Sequence, residues 1–117
     1  MSEEVLELSR RYIALWNEPD DAERLSAAGT LFTGDGLYVD PQVTAEGPEA
    51  ITAYINEERK KFEGLAFSLG EVIGSHHGLA LFTWRLGPVG SQEAVATGYD
   101  TVLVEGGRLR QVYGFFA

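Results

Sequence analysis

Residues 79–104, LALFTWRLGPVGSQEAVATGYDTVLV, decide the fold of this 117-residue chain. Ala80, Phe82 and Trp84 alternate with Leu79, Leu81, Thr83 and Arg85, a period of two that sends the sets to opposite faces of a strand. Gly87-Pro88-Val89-Gly90-Ser91 interrupts the pattern. It resumes from Glu93 to Val104, with Ala96, Gly98, Asp100 and Val102 on one face and Tyr99, Thr101 and Leu103 on the other. So short a connection makes the two strands, 79–86 and 93–104, antiparallel neighbours.

The same period extends both ways. Leu65 to Ile73 reads as a strand joined through Ser75-His76-His77-Gly78, and Arg108 to Phe116 as one joined through Glu105-Gly106-Gly107. Val112, Gly114 and Phe116 continue the face of Phe82 and Trp84. Leu109, Gln111, Tyr113 and Phe115 continue the other. A third strand of about 12 residues would run roughly 40 Å if straight, too far for so small a domain, so a bend at Gly98 is expected.

Upstream of Leu65 the period is helical. Val5, Leu8, Tyr12, Leu15 and Trp16 form one stripe over residues 3–16, which Asn17-Glu18-Pro19 ends. Asp20 with Glu23 resembles a capping box opening a helix over Ala22 to Ala28, which Gly29 closes in a left-handed conformation. Leu31-Phe32 is read as an apolar turn and Gly34-Asp35-Gly36 as a chain reversal. Leu37-Tyr38-Val39-Asp40-Pro41 is a short strand with Tyr38 and Asp40 on one face, and Gln42 to Glu46 is read as irregular. Pro48 suits a first helical turn. Ile51, Tyr54, Ile55, Glu58 and Phe62 form the inward stripe of a third helix, ended by Gly64.

Helices first and a meander afterwards predict an α+β architecture, a single domain over residues 1–117, in which a curved antiparallel sheet wraps three helices and encloses a pocket. The apolar content of 44% and formal net charge of −9 fit a folded domain and exclude nucleic acid as a partner. Arg59-Lys60-Lys61 sits beside Glu57 and Glu58, the mark of a solvated helix face. No cysteine is present, which removes disulfides, thiolate metal sites and cysteine nucleophiles. The acidic start and the lack of an 18-residue apolar run predict a cytoplasmic protein away from membranes.

Small residues beside large aromatics suit the concave face. On this reading Tyr12, Trp16, Tyr38, Asp40, Ile55, Phe82, Trp84, Asp100 and Phe116 converge on one apolar cavity. Two carboxyls there favour their neutral forms, the setting proton transfer needs: one group takes a proton while others hydrogen-bond the oxyanion that forms. A plainer reading stands beside it. Asp before Pro also finishes a strand by accepting from backbone amides, and Asp100 has Arg85, Arg108 and Arg110 as candidate edge partners. His76 and His77 are adjacent, expected to point oppositely on a strand, and have no third ligand at fitting spacing, so no metal is expected. The largely apolar outer face predicts a homodimer through that face.

Arg11-Tyr12-Ile13, Leu31-Phe32-Thr33-Gly34-Asp35-Gly36, Tyr38-Val39-Asp40-Pro41, Glu46-Gly47-Pro48-Glu49-Ala50-Ile51, Gly98-Tyr99-Asp100 and Gly107-Arg108-Leu109 together resemble the nuclear transport factor 2-like superfamily, over nearly the whole chain. Within it the chain is similar to the polyketide-cyclase-like (SnoaL-type) group and to ketosteroid isomerase. The resemblance implies a cone of curved sheet with a deep pocket, commonly dimeric, and a cofactor-independent isomerase or cyclase. It implies Asp40 as general base, with Tyr12 and a protonated Asp100 as oxyanion-hole donors. The isomerases' bracing tyrosines are replaced here by Phe32 and Ile55. Bulky Trp16 and Trp84 imply a small apolar carbonyl compound rather than a four-ring steroid. A ligand-binding dimer without chemistry, or a hydratase or dehydratase working through a carboxylate-held water, are the alternatives.

Overall fold

The computed structural model describes residues 3–117. They form helices α1 (Glu3–Asn17), α2 (Asp21–Leu31) and α3 (Pro48–Arg59) and strands β1 (Phe32–Asp40), β2 (Val43–Glu46), β3 (Leu65–His76), β4 (Leu79–Pro88), β5 (Ala96–Glu105) and β6 (Arg108–Phe116). The strands make one sheet in the order β2-β1-β6-β5-β4-β3. Every neighbouring pair is antiparallel except β1 and β6, which run parallel. The result is an α+β fold with a curved, unclosed sheet over three helices. No helix among the described residues is long and apolar enough to cross a membrane.

The first helix buries the expected stripe, Val5, Leu8, Tyr12, Leu15 and Trp16. Glu3 and Glu4 in its first turn suit the positive end of the helix dipole. Asn17 then pins its C-terminus to the sheet. Its amide donates to the Phe67 carbonyl and accepts from the Phe67 N–H, each at 2.8 Å, occupying the open edge of β3 as a strand partner would. Asp20 caps α2 by accepting from Glu23 N–H at 2.9 Å.

Four readings of the helical half are corrected. The second helix runs through Gly29 to Leu31 rather than closing there. Arg24, Ala28 and Leu31, at helical spacing, are all buried, so tertiary burial outweighs the intrinsic cost of one glycine. Leu31-Phe32 and Gly34-Asp35-Gly36 are not a turn and a reversal. The strand β1 begins at Phe32, and the glycines lie in its irregular stretch, where the register against β6 shifts between Phe32 and Leu37. Residues 43–46 are not irregular but form edge strand β2, with Asp40 paired to Val43 across Pro41-Gln42. So short and polar an edge gives little periodic signal. The third helix ends at Arg59, and Gly64 serves the following turn at φ 79°.

The inner face holds Phe82, Asp100, Val102 and Val112, as the alternation requires. Two members of the predicted faces move. Leu109, assigned outward, is fully buried because the register shift between Leu103 and Val104 resets the alternation in β6. Ala96, assigned inward, is exposed at the start of β5. That strand begins at residue 96 instead of 93 because Val95 N–H bonds the Leu86 carbonyl at 2.8 Å and folds the preceding residues over Gly87. A Cβ on Gly87 would sit 1.9 Å from the Glu93 carbonyl oxygen.

Candidate functional site

Between the concave face and the helices lies a cavity with about 50 Å³ in which the centre of a water-sized sphere can move. From α1 it is lined by Tyr12, Ile13 and Trp16, and from β1 by Tyr38 and Asp40. Tyr54 and Glu58 of α3, Phe62 beyond it, and Phe67, Trp84, Asp100, Gly114 and Phe116 of the later strands complete the wall. Tyr12, Trp16, Tyr38, Asp40, Trp84, Asp100 and Phe116 therefore meet in one cavity. Ile55 and Phe82 do not line it: both are fully buried in the core around it. Phe116 is half-exposed.

Asp40 finishes its strand, as an Asp before Pro can, and also lines the cavity. Its Oδ1 accepts from the backbone N–H groups of Gln42 at 2.8 Å and Val43 at 3.1 Å, which closes the turn into β2. Its Oδ2 accepts from the Tyr38 hydroxyl at 2.7 Å and the Tyr54 hydroxyl at 2.8 Å. Four donors fill roughly the four lone-pair sites of an ionised carboxylate. Burial first, and the Asp40 charge among the further causes, raise the pKa values of both phenols, keeping them protonated as donors.

Asp100 stands in a different environment. Among the described residues no hydrogen bond or ion pair reaches its carboxyl, although it is buried. Of its three candidate arginine partners, Arg110 contacts Asp35, Arg108 donates to the carbonyls of Gly29 and Phe32, and no ion pair joins Arg85 to it. Desolvation, followed by repulsion from Asp40, raises the Asp100 pKa well above the ordinary carboxyl range. Burial and then the Asp100 charge likewise raise that of Tyr12. One carboxyl is thus held by four donors, and its neighbour is pushed toward the neutral, proton-donating form.

The sheet places the two acids side by side rather than on opposing walls. Gly114 pairs with Asp100 across β5 and β6, and on its other side β1 carries Asp40. A Cβ at position 114 would lie 2.9 Å from Asp100 Oδ1 and 3.5 Å from Asp40 Cβ. Two residues before Asp100 on β5, Gly98 plays a similar part: a Cβ there would meet Trp84 Cζ2 at 2.2 Å, so the indole lies across the glycine.

Tyr54, Glu58 and Phe67 are wall residues that sequence reasoning left out of the site. The signal was present for two of them, since Tyr54 and Glu58 share the inward stripe of α3, one turn apart. Glu58 lies 3.5 Å from the Tyr54 hydroxyl and pairs with Lys61 at 2.8 Å. Arg59 donates to the Trp16 carbonyl at 2.6 Å, tying α3 to the end of α1. Away from the cavity, His76 and His77 do not point apart. Positive φ at His77 brings their Nδ1 atoms to 2.9 Å in the β3–β4 turn. Among the described residues no group of three or more His, Cys, Asp or Glu side chains is arranged to hold a metal ion.

The profile of the SnoaL-like domain family matches residues 9–112. No curated protein sequence matches the chain. Among solved structures, a candidate isomerase of the SnoaL-like family from Agrobacterium tumefaciens is 33% identical, with 99% of each chain covered and a TM-score of 0.90. A candidate polyketide cyclase from Sinorhizobium meliloti superposes with a TM-score of 0.72 at 15% identity, over 92% of this chain and 93% of that one. A candidate ketosteroid isomerase from Kribbella flavida gives 0.73 at 17% identity, over 99% of this chain and 79% of that one. At such identities the last two show likeness of fold alone.

Proposed function

The chain belongs to the SnoaL-like domain family, and from that premise we propose that its cavity transfers a proton at a carbon beside the carbonyl of a small, mostly apolar compound, without a cofactor, as an isomerase or cyclase. The observation that carries this reading is the unequal carboxyl pair: Asp40 held by four donors, and Asp100 unpartnered and driven toward its neutral form. Asp40 takes the α-proton, and the C–H electron pair moves into the carbonyl, giving an enolate oxygen that Tyr12 and Asp100 hydrogen-bond. The proton returns to another carbon in an isomerisation; in a cyclisation the enolate carbon attacks a second carbonyl of the same molecule, whose C–O π bond breaks and whose oxygen takes the proton back from Asp40.

Asp40 Oδ2 has both of its acceptor positions filled by phenols, so one must give way before it takes a proton. Tyr54 is the one with an alternative, because Glu58 lies 3.5 Å from its hydroxyl. The experiment is deuterium incorporation at the α-carbons of small ketones such as 2-butanone and 3,3-dimethyl-2-butanone, followed by NMR. Exchange above the buffer rate that falls about 100-fold or more in Asp40→Asn is expected. Exchange undiminished in that variant, or none with the native protein, removes the mechanism.

We also infer a homodimer through the outer face of the sheet. Tyr99 and Phe115 are exposed cross-strand partners on the outer face, flanked by half-buried Leu81, Leu103 and Tyr113, and a second copy packed isologously would cover them. Sizing with light scattering at micromolar concentration tests it, and a monomeric mass there overturns it.

A further inference from the structure

We propose that the cavity takes a small alkylammonium group, held against Asp40 and among the aromatic rings of its wall. The inference rests on the reading that this cavity is the ligand site, and adds the charge of the ligand that enters it.

Buried charges in proteins are paired with an opposite charge or a metal, because hydrogen bonds from neutral donors offset desolvation without cancelling the charge. Asp40 is 8% exposed and its four partners are two backbone amides and two phenols, all neutral. Among the described residues no ion pair reaches Asp40 or Asp100. Among the described residues no Lys, Arg or His lines the cavity, and Lys61 is engaged by Glu58 at its rim. The missing countercharge is therefore one the ligand brings.

The wall indicates which kind of cation. Tyr54, Tyr38, Trp16, Phe67, Trp84 and Phe116 follow one another with ring centroids 5.3–6.2 Å apart, a continuous aromatic belt along the cavity. Aromatic faces attract a soft, weakly hydrated cation such as an alkylated ammonium, whose methyl groups also gain from the apolar surroundings; a small metal ion would lose its water for too few oxygen ligands. The cavity's size suits a group of roughly four or five heavy atoms.

Calorimetry with tetramethylammonium chloride, with tert-butanol, also of five heavy atoms, as neutral probe and sodium chloride as ionic-strength control, tests this. Saturation transfer from the protein's aromatic protons to the probe's methyls provides a second measurement in the native protein. The cation is expected to bind about tenfold more tightly than the neutral probe, to receive saturation, and to lose about tenfold in affinity in Asp40→Asn. A neutral probe that binds as tightly, no saturation of the cation's methyls in the native protein, or undiminished cation binding by folded Asp40→Asn each overturns the inference. Cation binding without ketone exchange leaves it standing and removes the proton-transfer reading; ketone exchange without cation binding does the reverse.

Discussion

Asp40 and Asp100 sit on one face of the sheet, on strands separated by β6, with Gly114 of that strand between them. Two carboxyls this close cannot both ionise freely in an apolar surround. The structure resolves the conflict by giving one of them four donors and, among the described residues, the other none.

Gly114→Ala tests the spacing. The new methyl would come within 2.9 Å of Asp100 Oδ1, so the carboxyl must leave its place or β6 must shift. A loss of about 1–3 kcal/mol in urea unfolding is expected from overpacking, together with loss of ligand binding. Native stability and unchanged binding in this variant would show that the glycine is not needed for the approach.

Asp100 also sets a pH dependence whose sign follows from its raised pKa. The folded state holds this proton more tightly than the unfolded chain, in which the group titrates near 3.8. The stabilisation is full below that pH and is lost as pH rises toward the folded value, with a slope of up to about 1.4 kcal/mol per pH unit. Asp100→Asn removes the loss, so the variant should gain stability over the native protein progressively above about pH 4. A stability difference constant from pH 4 to 8 would contradict this.

Tyr38→Phe and Tyr54→Phe each remove one donor from Asp40 Oδ2. A hydrogen bond to a charged group contributes about 1.5–3 kcal/mol. The buried Tyr38 is expected to cost the full range. The partly exposed Tyr54 should cost less, because water can take over from its hydroxyl. Equal losses in chemical denaturation would refute the asymmetry.

Arg24 is fully buried at the start of α2, where its guanidinium joins Asp21 at 3.0 Å, the Asn56 side chain and the Glu18 carbonyl. It thereby clamps α3 and the α1–α2 connection around one side chain. Arg24→Met keeps the volume but strands the Asn56 and Glu18 acceptors, at an expected cost of about 2–4 kcal/mol. Since Arg24 lies outside the cavity lining, binding by the folded variant should be unchanged. Weakened binding by the folded protein would mean that the clamp reaches the site.

The meander was legible because alternation over four long strands is a strong local signal, and the short turns force their neighbours to be antiparallel. Stripes ending in Trp16 and Phe62 gave α1 and α3 for the same reason. Wherever a long-range contact outweighed a local cue, the reading slipped: Gly29 stays helical under the burial of Ala28 and Leu31, and Leu109 faces inward because of a register shift in the pairing of its own strand with β5. For the site, residue types and parity brought Tyr12, Trp16, Tyr38, Asp40, Trp84, Asp100 and Phe116 to one cavity. Parity cannot say which strands become neighbours. The parallel pairing of β1 with β6 is a contact across most of the chain, and it alone sets Asp40 beside Asp100 over Gly114. Alternation alone brought both carboxyls and most of the aromatic rings to the concave face, with Leu109 and Ala96 misplaced. The tertiary structure decided which of them touch, and so which carboxyl is held by four donors and which is left without one.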